Sequence, residues 1–215
     1  IDPAWTAPAP SRSAYSNNAN ENNDLSHMRM GRSPDSGAVY RPLFEFPVGG
    51  LAGTRILSAT FSIQLYHSWS CGNTPATLWR AHGIASTPKN PWASSGFAAY
   101  LDTQWAAANK DACFTPAQPF MYFGGNLTGD VQFAANGGWS SYTVALSAMS
   151  SSGAGESTTD RWKRFNVNTA HLTVQYNRAP RTPTSAEKMV ESFPCNGAPI
   201  FVNTANGLTQ RASLS

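Results

Sequence analysis

Four aromatic residues in polar, turn-rich sequence, Trp69, Trp92, Tyr100 and Trp105, are of the type that stacks on sugar rings. The apolar face of a pyranose packs on an aromatic ring while amides and hydroxyls bond its rim. Trp92, Tyr100 and Trp105 fall within residues 86–118, which also carry Pro88, Pro91 and Phe97 and read largely as loop. A long excursion of this kind in a compact domain is usually functional. Trp69 lies near the end of a strand-like run. Trp79, Trp139 and Trp162 sit on or at the start of strand-like segments and are expected to pack inside, where tryptophan is mostly found.

Catalytic chemistry finds less material. Glu45 and Asp130 are the carboxylates that could serve a glycosidase. Glu45 alternates with Phe44 and Phe46, so it is expected to face solvent or an arginine. Asp130 fits the first turn of a short helix. His27, His67, His82 and His171 are scattered, with no HExxH, and there is no GxSxG, P-loop or dinucleotide fingerprint. The chain reads as non-catalytic and free of organic cofactors. A calcium ion would draw on carboxylates and backbone carbonyls, with Asp24, Asp35 and Asp160 as candidates that no spacing signature joins. Cys71, Cys113 and Cys195 form no CxxC, which argues against zinc. Cys71 ends a strand and Cys113 follows in a polar region. A bridge between them would contribute roughly 4 kcal/mol; the alternative is three free thiols. Cys195 is then the odd cysteine.

The elements that must hold these residues are strands. Leu57, Ala59, Phe61, Ile63 and Leu65 alternate with Ser58, Thr60, Ser62, Gln64 and Tyr66, which predicts a strand with one packed face and one wet, hydroxyl-rich face. Arg41–Val48 alternates as well, with Phe44, Phe46 and Val48 inward, and the Gly-rich stretch between the two supplies the turn. Further strands are expected around Met28–Met30 and over Thr77–His82, Phe120–Phe123, Tyr142–Met149, Arg161–Asn166 and His171–Asn177. A single short helix is expected over Thr128–Asn136, with Thr128 as N-cap and Gly137 as C-cap. Residues 1–36 are otherwise read as irregular. The predicted core is Phe44, Phe46, Leu57, Phe61, Ile63, Leu65, Val144, Leu146, Leu172 and Val174.

Composition narrows the setting. The chain has 215 residues, a formal charge of +3 and a hydrophobic fraction of 41%. Only 13% of residues are charged, about half the share usual in globular proteins, so Ser, Thr, Asn, Gln and Gly must build the surface. That balance suits a secreted β protein. Nucleic acid would need a concentrated basic face, and only Arg161, Lys163 and Arg164 cluster. No apolar run approaches the ~18 residues of a membrane span. After Asn177, RAPRTPTS reads as a linker. Pro199–Thr204 and Leu208–Leu214 then look like two strands joined at Asn206-Gly207, too few to bury a core.

The series RPLFEFPVGGLAGTRILSATFSIQLYHSWSC, LWR, a Trp-bearing loop, a Cys, a helix ending in GGW, a TVAL strand, WKRFN and LTVQYN resembles the disaggregatase-related (DNRLRE) β-sandwich domain over roughly Trp5 to Asn177. The resemblance implies a jelly-roll-like sandwich akin to carbohydrate-binding modules of large secreted or surface bacterial proteins. It also implies the Cys71–Cys113 disulfide. The trailing strands resemble the opening of an Ig-like or fibronectin-like module. Many relatives carry an Arg and an acidic cluster after TVAL, where this chain has Ser147, Ala148, Met149 and a Gly/Ser loop.

The expected architecture is therefore all-β: an antiparallel jelly-roll-like β-sandwich over 1–178 with one short helix, and a strand-forming tail over 179–215. The expected function is a non-catalytic, extracellular or cell-surface module for carbohydrate binding or adhesion. Its expected partner is a polysaccharide or cell-surface glycan, with no nucleic acid and no membrane insertion. The alternative is a structural subunit that self-associates into a homo-oligomer or filament through 179–215; a glycan-active enzyme ranks third.

Overall fold

The computed structural model describes residues 4–108, 117–178, 200–203 and 208–211. Residues 1–178 form one compact unit and 179–215 a second.

The first unit is an antiparallel all-β structure. Its strands are β1 (Ala4–Thr6), β2 (Arg12–Asn17), β3 (His27–Arg32), β4 (Val39–Pro47), β5 (Arg55–Ser68), β6 (Thr74–Ala81), β7 (Phe97–Ala106), β8 (Phe120–Phe123), β9 (Ser141–Ser147) and β10 (Lys163–Asn177). They join in the order β7-β6-β9-β4-β3-β10-β5-β8, with β1 added to β10 and β2 to β4. The result is one ten-strand sheet, folded over until it is nearly a barrel. β3 makes the fold-over, because its first four residues pair with β10 and its last two with β4. Gly31 sits at that change of partner with φ +82°, and a Cβ there would meet Ala148 Cβ at 3.0 Å. Only glycine fits both the backbone angle and the space.

The core lies between the two facing halves. Phe44 and Phe46 from β4 meet Phe61 from β5 with ring centroids 5.6 and 6.0 Å apart, and Phe123 approaches Phe61 from β8 at 5.9 Å. Val144, Leu146, Leu172 and Val174 complete the same buried cluster. Ile63 and Leu65 are buried with them, so nine of the ten predicted core positions are buried.

Leu57 is the exception: it is 39% exposed, and Ile56 is buried in its place. The cause is an irregularity in the β5–β10 ladder. Tyr176 pairs with Ile56 and Gln175 with Ser58, so one β5 residue is extra and the alternation slips by one. Leu43, expected on the wet side of β4, is also buried, in a small second cluster with Ala14, Ala81, Ile84 and Ala145 on the other face.

The irregular N-terminal reading is corrected by β1 and β2, and residues 86–118 contain a ten-residue strand, β7. The expected separate strands at Arg161–Asn166 and His171–Asn177 are one long strand, β10, with a register irregularity between Asn166 and His171.

A single helix, α1 (Leu127–Asn136), is the only α-helix among the described residues. Its N-cap position is Asn126, not Thr128, and carries no side-chain cap. The Thr128 hydroxyl instead accepts a hydrogen bond from the Ala59 N–H at 3.0 Å, tying α1 to β5. Gly137 does close the helix, donating its N–H to the Phe133 carbonyl. No helix of the described residues is long and apolar enough to cross a membrane. In the second unit, β11 (Ile200–Asn203) pairs antiparallel with β12 (Leu208–Arg211).

Candidate functional site

The structure collects two of the four predicted aromatic positions into one surface array. Arg41, on β4, lies over the Trp92 ring at 4.2 Å and over the Phe97 ring at 4.6 Å. Phe97 stacks on Trp79 with centroids 5.0 Å apart and planes 14° apart, and Tyr100 meets Trp79 edge-on at 5.6 Å. The order along the surface is Trp92, Arg41, Phe97, Trp79, Tyr100. Arg41 is fixed from its far side by a two-point ion pair with Glu156, at 2.9 and 2.6 Å, and it donates to the Ser95 carbonyl and hydroxyl. Trp79 donates its indole N–H to the Ser147 hydroxyl at 2.9 Å.

Tyr100 and Trp105 lie on the strand β7, not on a loop. Pro75, Thr77 and Trp79 alternate on β6 and face Trp105, Thr103 and Tyr100 across the ladder, so Trp105 shares the outer face with the array. It lies beyond the Thr77–Thr103 hydroxyl pair and is 62% exposed. Trp69 is 52% exposed just past β5, and its backbone N–H reaches the Trp162 carbonyl. Neither makes a ring contact with the array.

Trp92 also lines a cleft of about 420 Å³ together with Asn17, Asn18, Asn20, Lys89, Asn90 and Pro91. Its two walls are the end of β2 and the 88–92 segment. They are bolted together by the Tyr15 N–H to the Pro88 carbonyl and the Asn90 N–H to the Tyr15 carbonyl, at 3.0 and 2.8 Å. Asn17 and Asn90 are spent on the fold: Asn17 accepts from Ala19 and Glu21, and Asn90 accepts from Ala85. Asn18 accepts from the Val39 N–H, and Asn20 accepts from the Lys89 ammonium. The side-chain N–H groups of Asn18 and Asn20 stay available at the rim, beside the Trp92 ring. A volume in the range of small-ligand pockets, one aromatic wall and amide donors suit a neutral polyol.

The two carboxylates with catalytic potential are each tied elsewhere. Glu45 accepts from Arg12 and from the Thr143 hydroxyl. Asp130 bonds Arg80 at 2.9 Å and the Tyr142 hydroxyl at 2.5 Å. It is thus an anchor between α1, β6 and β9 rather than simple first-turn decoration. Burial and the adjoining Asp130 carboxylate hold the Tyr142 phenol well above the ordinary tyrosine range. Asp24 is engaged by Arg164 at 2.8 Å and by His27 at 3.4 Å. Among the described residues no group of three or more His, Cys, Asp or Glu side chains could hold a metal ion, so Asp24, Asp35 and Asp160 are not brought together. Cys71 is disulfide-bonded; Cys113 and Cys195 both lie outside the described residues.

The sequence reading missed two further exposed rings. Phe120 and Tyr122 on β8 are 45% and 60% exposed and stack at 6.2 Å with planes 30° apart. The signal was present in the alternation of Phe120-Met121-Tyr122-Phe123, whose even positions face solvent while Met121 and Phe123 are buried. No family model matches the chain, and neither does any curated protein sequence.

Proposed function

We propose that the first unit is a non-catalytic glycan-binding module of a secreted or surface protein, of the kind the DNRLRE resemblance implies. The cleft beside Trp92 carries this reading. It offers a ring face, amide N–H donors and a lysine that is already bonded to Asn20, with no carboxylate in its lining. Sugars are recognised by that pairing of stacking and rim hydrogen bonds. Trp92→Ala removes the stacking wall and is expected to lower affinity for a bound oligosaccharide at least tenfold in isothermal titration. The melting temperature should fall only modestly, because Trp92 is half-buried. Unchanged affinity in a folded Trp92→Ala protein counts against the cleft.

One observation favours a second reading, self-association. The described backbone of the second unit pairs β11 only with β12, and two strands do not bury a core alone. Strand addition from another copy would supply the missing partners. On that reading, deleting 179–215 converts an assembling protein into a monomer. Sedimentation of both forms at high concentration decides it: two monomers end the self-association reading.

A further inference from the structure

The half of the sheet remote from Trp92 carries a second arrangement that the cleft does not use. In an antiparallel ladder, directly paired residues point to the same face. Gln64 pairs with Phe120 on one side and with Asn166 on the other, and Asn166 pairs with His27. Phe120, Gln64, Asn166 and His27 therefore form one row across β8, β5, β10 and β3. The neighbouring row holds Tyr122, Ser62 and His171. Three interstrand steps make the first row about 14 Å long.

Each end of the row is aromatic. Phe120 and Tyr122 stack at the β8 end, and at the other end the His27 ring lies 3.9 Å from the Tyr66 ring. Between them the surface is amide and hydroxyl. Asn166 donates to the Gln64 side-chain carbonyl at 3.3 Å, and Gln64 donates to the Gln118 backbone, which sets both amides flat along the row. The hydroxyls of Thr60, Ser62, Thr173 and Tyr122 have no hydrogen-bond partner among the described residues. Among the described residues neither row, Phe120–Gln64–Asn166–His27 or Tyr122–Ser62–His171, contains a Lys, Arg, Asp or Glu. At the His27 end Arg164 lies over the Tyr66 ring and is neutralised by Asp24, with Arg29 beside it on β3.

We infer that this face is a second binding site, for the flank of an extended, uncharged polysaccharide chain. Nucleic acid or an acidic polymer would call for cations in the lane, and the described residues of the two rows supply none. A protein partner would call for a contiguous apolar centre, and the centre here is Gln64, Ser62 and Asn166. Rings at the ends with unpartnered hydroxyls and amides between them suit a row of sugar units: the rings take the apolar faces and the polar centre takes the hydroxyls. The inference extends the glycan-binding reading to a different surface and a longer ligand.

The test is affinity electrophoresis of the full chain through gels containing soluble xylan, mixed-linkage β-glucan or galactomannan, alongside titration with a short oligosaccharide of each. Three proteins are run beside the wild type: Phe120→Ala/Tyr122→Ala, Ser62→Lys and Trp92→Ala. Ser62→Lys leaves both rings in place and puts bulk and charge in the lane, so it covers the case in which the double variant fails to fold. The expected result is that both sheet variants lose at least tenfold in retention on polymer while keeping oligosaccharide affinity, and that Trp92→Ala does the reverse. Unchanged polymer retention in the sheet variants overturns the second site and leaves the cleft standing. Unchanged behaviour of Trp92→Ala alone overturns the cleft and leaves the sheet site. No retention of the wild type by any of the three polymers overturns the second site.

Discussion

Phe61→Ala is expected to lower the free energy of unfolding by about 3–5 kcal/mol, the range for removing a buried aromatic ring. The ring is fully buried at the centre of β5 and sits between Phe44, Phe46 and Phe123, so three other rings lose a partner at once. Two of those rings belong to β4 and one to β8, so the void would open between the facing halves and on toward the β8 edge. Urea unfolding of the two proteins, followed by tryptophan fluorescence, measures the difference. A change within ~0.5 kcal/mol, as for a surface site, would mean that β5 does not have this register.

The second large effect is a dependence on pH. Lys163 starts β10 with its side chain fully buried, and its ammonium donates to the Thr74 hydroxyl. Burial pulls its pKa from 10.5 down to about 7; the nearby Asp160 opposes that shift and Arg161 adds to it. The folded state therefore gives up the proton more readily than the unfolded chain does. Between about pH 7 and pH 10.5 the unfolded state binds more protons, so stability rises with pH. Each unit of separation is worth 1.36 kcal/mol, which puts the whole rise at about 5 kcal/mol.

Tyr142 acts in the opposite sense. Its phenol is held protonated by burial and by Asp130, so its contribution is complete below pH 10 and is lost above it. Stability should accordingly climb from pH 7 to about 10 and then turn down. Lys163→Met should flatten the climb and be the more stable protein at pH 7, since a buried charge is replaced by an apolar chain of similar reach. Urea melts at pH 7, 8 and 9 test it, and parallel curves for the two proteins would assign the dependence to other groups.

Much of this fold is legible in the sequence because its central strands bury one face. Phe61, Ile63 and Leu65 alternate with Ser62, Gln64 and Tyr66, and the pleat does the rest. Where the alternation slips, as at Ile56 and Leu57, pairing with β10 decides, and pairing depends on residues more than a hundred positions away. β7 reads as loop in the sequence because Leu101 is its one buried side chain, so no period shows. β2 hides for the opposite reason: its last four residues, Ala14 to Asn17, are all buried. The candidate sites were half legible. Trp92 and Tyr100 were visible as aromatics in polar sequence. That Arg41 threads between Trp92 and Phe97, or that Phe120 and Tyr122 border the Ser/Thr face of β5, depends on which strands become neighbours.

The pairing of β1 with β10 has a mechanical meaning. Ala4 lies opposite Tyr176, so the chain enters beside β10 and leaves it, after Asn177, at the same pole of the first unit. A pull between those two points would not slide β1 along β10 and load all its hydrogen bonds together. It would peel a three-residue strand away one bond at a time, beginning at Ala4. Under tension the module would pay out its first strand at low force while the Phe61 core stayed closed, acting as a compliant joint rather than a rigid link.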